Sequence, residues 1–328
     1  MLNLLRLGAL TTLLSCTVSL PAVGADLKTG SIAEQQLRHI ATYFPGRMAG
    51  SPAEMLTADY LQHQFAELGY QSDLRRFTTR YAWQHQDGQQ TWRNVNATSV
   101  IAARSGEVPQ QIVVMAHSDS WTPHNDREQQ DNLGGLSDQG VDDNASGLGV
   151  MLELAQRLAK TQLHYGLRFV VLSAEEIGQQ GSAEYLARMS PEEKRHTLLV
   201  INLDSLIIGQ RLTFTSGSNT PATVIRQTRD RAVALAHRRG IPADGRAAST
   251  DLGPFDRAGI PWLSVQAADT REKKLPRVIA QHFPLALRHQ AQRDNLAYVD
   301  RWLPGRIERR THDTVAVMLP LLRELANP

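Results

Sequence analysis

The sequence predicts an α/β fold: a three-layer sandwich whose central, mostly parallel mixed sheet is flanked by helices. Two features point to it: five short apolar, β-branched runs that read as strands, and amphipathic stretches between them that read as helices. Helical patterns come first, at 32–42 and 53–68. Strands follow at 100–103 and 112–116, then a helix at 146–160 with Leu148, Met151, Leu154, Ala155 and Leu158 as its apolar stripe. A strand at 167–172 precedes a helical pattern at 182–189, which stops before Pro191. Strands at 198–203 and 262–265 and a C-terminal helix from about 315 to 326 complete the order. Three of the strands are apolar on both faces, as the centre of a covered sheet requires. No repeat, low-complexity tract or linker divides the chain, so 26–328 is expected to form one domain.

The N-terminus predicts export. Arg6, the apolar run from Leu7 to Leu20, Pro21 and the small-residue end Val23-Gly24-Ala25 make a signal peptide over 1–25, cut after Ala25. The apolar run is shorter than the roughly 20 residues a membrane span needs, so no anchor is expected. Leu14-Ser15-Cys16 offers a second processing point, at which Cys16 would become a lipidated N-terminus, but Val23-Gly24-Ala25 is the better formed. Cys16 is the one cysteine of the chain, so its removal leaves neither a disulfide nor a nucleophilic thiol. With 35 basic and 33 acidic residues interspersed, the formal charge of +2 gives no footprint for nucleic acid or an anionic membrane. Peptides or proteins are the expected partners.

The informative feature is where acids and histidines fall relative to the strands. His117 ends one strand, Glu175 and Glu176 follow the next, and Asp204 ends a third. In open α/β sheets ligands bind outside the carboxyl ends of the strands, so three segments deliver metal-capable side chains to one edge. Asp142-Asp143-Asn144-Ala145-Ser146-Gly147 opens the helix at 146 and adds carboxylate to the same rim. Each piece has a bland explanation, since Asp and Asn cap helices and a lone histidine or Glu pair is commonly structural. Their convergence outweighs those explanations, because buried carboxylates repel one another unless a cation joins them. The connection 118–142, long, polar and carrying Gly134-Gly135 and Gly140, is of a length that is usually functional.

These residues resemble the co-catalytic di-zinc aminopeptidases of the bacterial leucyl aminopeptidase type. The likeness runs through Met115-Ala116-His117-Ser118-Asp119-Ser120, Asp142-Asp143-Asn144-Ala145-Ser146-Gly147, Ala174-Glu175-Glu176-Ile177-Gly178, Asn202-Leu203-Asp204 and Phe255-Asp256-Arg257-Ala258-Gly259-Ile260-Pro261. Two further stretches, from His39 to Met48 and from Leu303 to Arg310, resemble one particular aminopeptidase more closely still, and that likeness spans almost all of the mature chain. The resemblance implies the zinc aminopeptidase fold and two Zn(2+) per chain. It implies that Asp143 bridges the metals, that His117 and Asp204 complete one shell, and that Glu176 and a late histidine complete the other. It further implies that Asp119 orients the His117 imidazole and that Glu175 is the general base. The late histidine is best matched by His289, which precedes Asp294-Asn295-Leu296; His282 and His312 are the competing positions. Four residues separate His289 from Asp294, one more than in many family members, which marks that loop as a departure.

Two dications against three ligand carboxylates would leave about one positive charge, enough to make a bound water nucleophilic near neutral pH. Imidazole and carboxylate ligands without thiolate suit zinc best, and manganese or cobalt would also fit. Asp119, Asp126, Glu128, Asp131, Asp138 and Asp142 face only Arg127 in the 118–142 connection, which would attract a cationic N-terminus. A solvated acidic loop is the alternative. Other chemistries find little support: there is no Gly-x-Ser-x-Gly elbow, no phosphate loop, and Gly147-Leu148-Gly149 is a fragment of a dinucleotide fingerprint. A glutaminyl-cyclase-like acyltransferase with one zinc and a non-catalytic binding domain on the same scaffold remain rival readings of this pattern.

Overall fold

The computed structural model describes residues 27–248, 253–269, 276–284 and 288–328, so the expected signal peptide and Cys16 lie outside the described residues. The first half of the chain forms helices α1 (Ser31–Tyr43) and α2 (Pro52–Glu67), strands β1 (Gln71–Gln84), β2 (Gln90–Arg104) and β3 (Val108–His117), and helices α3 (Asp126–Asp131) and α4 (Ser146–Leu158). Strand β4 (Tyr165–Leu172), helices α5 (Gln180–Arg188) and α6 (Pro191–His196), and strands β5 (Thr197–Leu203) and β6 (Arg211–Ser216) follow. The remainder comprises α7 (Ala222–Ile225), α8 (Arg231–His237), β7 (Ala243–Ala247), α9 (Pro254–Arg257), β8 (Trp262–Ala268), α10 (Arg277–His282), α11 (Leu296–Trp302) and α12 (Arg306–Ala326).

All eight strands join one mixed sheet in the order β1-β2-β4-β3-β5-β8-β6-β7. Its centre, β4-β3-β5-β8, is parallel, while β1, β2 and the β8-β6 pairing are antiparallel. Period-two patterning explains the layers. In β3, Ile112, Val114 and Ala116 face the larger core with α1, α4 and α12, whereas Val113 and Met115 face the second core with Tyr185 of α5 and Phe255 of α9. Strands β4 and β5 divide the same way: Leu167, Phe169, Val171, Leu199, Ile201 and Leu203 on one side, Val170, Leu172 and Val200 on the other. Burying one such side chain is worth about 1.5–3 kcal/mol, which is why both faces must be covered.

The five strands and five helices expected from sequence are all present, with shifted ends. The C-terminal helix begins at Arg306 instead of about 315, and it carries Pro320 inside. Strands β1, β6 and β7 were not expected. β1 and the outer half of β2 form a long hairpin whose Phe77, Tyr81, Trp83, Val95 and Ala97 pack on Ala174 and Ile177, beside the Glu175-Glu176 turn. Among the described residues no helix is long and apolar enough to cross a membrane.

Candidate metal centre

The parallel register aligns the ends of the central strands. His117 is the last residue of β3 and pairs with Leu172, the last of β4, while Asp204 directly follows β5. Glu175 and Glu176 come from the turn after β4, and Asp142 and Asp143 from a π-helical turn, Val141–Ala145, that leads into α4. The Asp143-Asn144 peptide bond in that turn is cis.

Asp143 lies at the middle of the cluster. Its Oδ1 is 2.9 Å from His117 Nε2, and its Oδ2 is 2.7 Å from His289 Nδ1. Asp204 Oδ1 is 3.7 Å from His117 Nε2. Ligand-capable atoms of His117, Asp143 and Glu176 all lie within 4.8 Å of one another. His289 is therefore the late histidine brought to the rim. His282 stacks on Trp302 at 3.5 Å between ring centres, and His312 sits on α12 beside Asp313.

The electrostatics of the cluster call for positive charge. Burial disfavours the imidazolium at His117 and His289, yet the surrounding aspartates outweigh it and raise both well above the ordinary histidine range. Burial and the neighbouring Asp143 carboxylate push Glu176 well above its ordinary value. Burial also opposes ionisation of Asp143, but the two histidines override it and hold that carboxyl below the usual range. Two enclosed atoms, Asp142 Oδ2 and His289 Nε2, lie 3.6 Å apart and make no hydrogen bond among the described residues. Bunched carboxylates, two imidazoles and unbonded donor atoms are a set that fits divalent cations.

The surrounding hydrogen bonds set the orientation of each group. The Asp119 carboxylate accepts the backbone N–H groups of Glu175 at 3.2 Å and Glu176 at 2.9 Å. The His117 Nδ1 lies 2.9 Å from the Asp119 carbonyl and 3.6 Å from its carboxylate. Glu175 is held on both oxygens by Ser182, through its N–H at 2.6 Å and its hydroxyl at 2.8 Å. Burial pushes the Glu175 carboxyl up to about 7. Asp204 accepts from Ser205 Oγ at 2.9 Å.

Sequence reasoning missed two supports of the cluster. Ser182 drew no notice as a site residue, and Asp294 served only as a spacing mark. Asp294, fully buried, accepts the N–H groups of both Asp142 and Asp143. The signal available was the Asp294-Asn295 pair itself, since Asn295 caps α11 and leaves the aspartate without a capping role.

The acids of the 118–142 connection are mostly committed to structure. Asp126 accepts from the Trp83 indole and the Gln86 N–H, Glu128 from the His124 N–H, Asp138 from the Gly140 N–H, and Asp142 from the Ile207 N–H. Asp131 alone of the six is exposed, with Arg127 3.7 Å away.

Residues 99–315 match the family model of peptidase family M28. The alkaline phosphatase isozyme conversion protein of Escherichia coli (strain K12) is 48% identical over 323 residues, which span 94% of this chain and 94% of that one. The chain thus belongs to peptidase family M28, and its class is that of a metal-dependent aminopeptidase. Among solved structures, a zinc aminopeptidase from Bacillus subtilis shares the fold with a TM-score of 0.67 at 15% identity, over 90% of this chain and 95% of its own. A glutaminyl cyclase from Porphyromonas gingivalis does so with a TM-score of 0.65 at 20% identity, over 92% of this chain and 100% of its own.

Proposed function

We propose that the chain is an exported, periplasmic or secreted aminopeptidase working with two zinc ions. In this reading His117, Asp143, Glu176, Asp204 and His289 would hold the ions. The observation that carries it is the double approach to Asp143, one histidine on each carboxylate oxygen at 2.9 and 2.7 Å. Zinc is favoured by a donor set of imidazole and carboxylate, which manganese or cobalt would also accept.

The bound ions would supply Lewis-acid chemistry, making a water nucleophilic near neutral pH and polarising the scissile carbonyl. The chain's own residues do the rest. Glu175 takes a proton from the attacking water as its oxygen bonds to the carbonyl carbon, and returns it to the amine nitrogen as the C–N bond breaks. Ser182 keeps that carboxylate in one orientation through two hydrogen bonds. Asp119, by gripping the amides of residues 175 and 176, fixes the base and the neighbouring ligand relative to each other.

The substrate is a peptide or protein with a free N-terminus, and N-terminal arginine on alkaline phosphatase is the specific proposal. The likeness to the Escherichia coli isozyme conversion protein supports it. The loop acids lend it little, because five of the six already serve as hydrogen-bond acceptors or sit buried. The test is an aminopeptidase assay on N-terminal arginine and leucine substrates, before and after chelation, with a glutaminyl peptide in parallel. Cleavage that chelation abolishes is expected, faster for arginine. Cyclisation of the glutaminyl peptide without cleavage would instead assign the site to an acyltransferase.

A further inference from the structure

The stretch from His39 to Met48 belongs to the family likeness, yet the reaction assigns it no part. Its Arg47 is fully buried, and the carboxylates of Asp138, Asp294, Asp119 and Asp143 act on its charge through space. The guanidinium donates to four backbone carbonyls. Nε bonds Ser118 O at 2.9 Å, Nη1 bonds Phe44 O at 3.0 Å and Gln139 O at 2.9 Å, and Nη2 bonds Gly140 O at 3.2 Å. Burial opposes the charge of this guanidinium and those carboxylates offset only part of the cost, while its hydrogen bonds go to main-chain carbonyls whose positions it fixes.

That geometry spans the connection 118–142. Ser118 directly follows His117, and Gly140 precedes Asp143 by three residues, so one planar group ties the two ends of a 25-residue excursion together. The main chain around Arg47 repeats the tie: Gly46 N–H donates to Asp138 O at 2.7 Å, and Ser120 N–H donates to Arg47 O at 3.0 Å. The contact is close enough to exclude a side chain at Gly140, where φ is +49° and a Cβ would lie 2.8 Å from Arg47 Nη2 and 2.5 Å from Asp143 O.

We propose that Arg47 is a positioning residue that sets the spacing of His117 and Asp143, and hence the affinity of the centre for its metal. The proposal rests on the reading of those two side chains as ligands. A guanidinium suits the task because its donors lie in one rigid plane and reach several carbonyls at once, whereas an ammonium is a single point with three. Arg47→Lys should keep the fold and KM, raise the zinc dissociation constant at least tenfold and lower kcat by a similar factor. Arg47→Ala should do so more strongly and regain zinc affinity when millimolar guanidinium is added.

The experiment is a competition titration of zinc against a chromogenic chelator for wild type and both variants, with circular dichroism as the fold control and kcat and KM measured separately. Folded variants with wild-type zinc affinity and kcat would overturn the proposal. Failure of both variants to fold would overturn it too, since Arg47 would then serve general stability. A wild-type protein that binds no zinc would refute the metal reading itself, which is a distinct outcome.

Discussion

The carboxylate of Asp294 accepts the N–H of Asp142 at 2.7 Å and the N–H of Asp143 at 3.0 Å, so one buried side chain from the segment that carries His289 holds the turn that carries the central acid. Removing it strands two enclosed amides, each costing about 1–3 kcal/mol. Asp294→Ala should therefore lose about 2–6 kcal/mol of stability in chemical unfolding and at least tenfold in kcat. Asp294→Asn should lie between, because its single carbonyl oxygen serves one amide while its NH2 faces the other. Wild-type unfolding by either variant would mean that the two bonds contribute nothing net.

Glu175→Gln should bind zinc as wild type does and turn over several orders of magnitude more slowly. Glutamine keeps the shape and can still accept from Ser182, but it cannot take up a proton. Metal analysis and steady-state kinetics on the same preparation separate the two quantities. A variant that retains both zinc and full turnover would assign the base elsewhere.

How much of this was legible beforehand follows from what each residue contacts. His117, Glu176 and Asp204 stand where apolar β-branched runs end, and a parallel sheet converts that sequence position into a shared edge. The hairpin was less visible. β1 is half exposed along its length, and its apolar face, Phe77, Tyr81 and Trp83, is interrupted by Thr79. The first turns of α12 read as polar because Arg306 and Arg310 spend their guanidiniums on carbonyls of Ile207, Ile208, Gly209 and Gln210. Arg47 and Asp294 were hidden for the same reason: their partners are main-chain groups brought close by the fold, and a backbone carbonyl carries no mark in a sequence.

Glu54 gives a pH prediction away from the centre. Burial pushes its carboxyl up to about 8, and its Oε1 makes no hydrogen bond among the described residues. The native state thus holds a proton that the unfolded chain releases near the ordinary glutamate value, so stability falls as pH rises from about 4.5 to about 8 and then levels. Glu54→Gln removes this dependence. Relative to wild type, the variant should gain on the order of 2–4 kcal/mol between pH 5 and pH 8 in urea unfolding. Parallel curves for the two proteins would show that Glu54 ionises normally in the fold.

Asp126 latches the 118–142 connection to the hairpin through the Trp83 indole at 2.8 Å and the Gln86 N–H at 3.0 Å. Asp126→Ala should loosen the tip while Arg47 still pins both ends. KM should rise severalfold with kcat nearly unchanged, and limited proteolysis should cut near α3 sooner. A fall in kcat at constant KM would place the latch in control of the reacting groups instead.

The most direct measurement is zinc content against activity in the purified protein. Stepwise addition of zinc to chelator-stripped enzyme should restore aminopeptidase turnover and saturate at two ions per chain, and His289→Ala should saturate lower with turnover largely lost. Full activity in the stripped enzyme, or saturation unaltered by loss of His289, would contradict a paired centre built around Asp143.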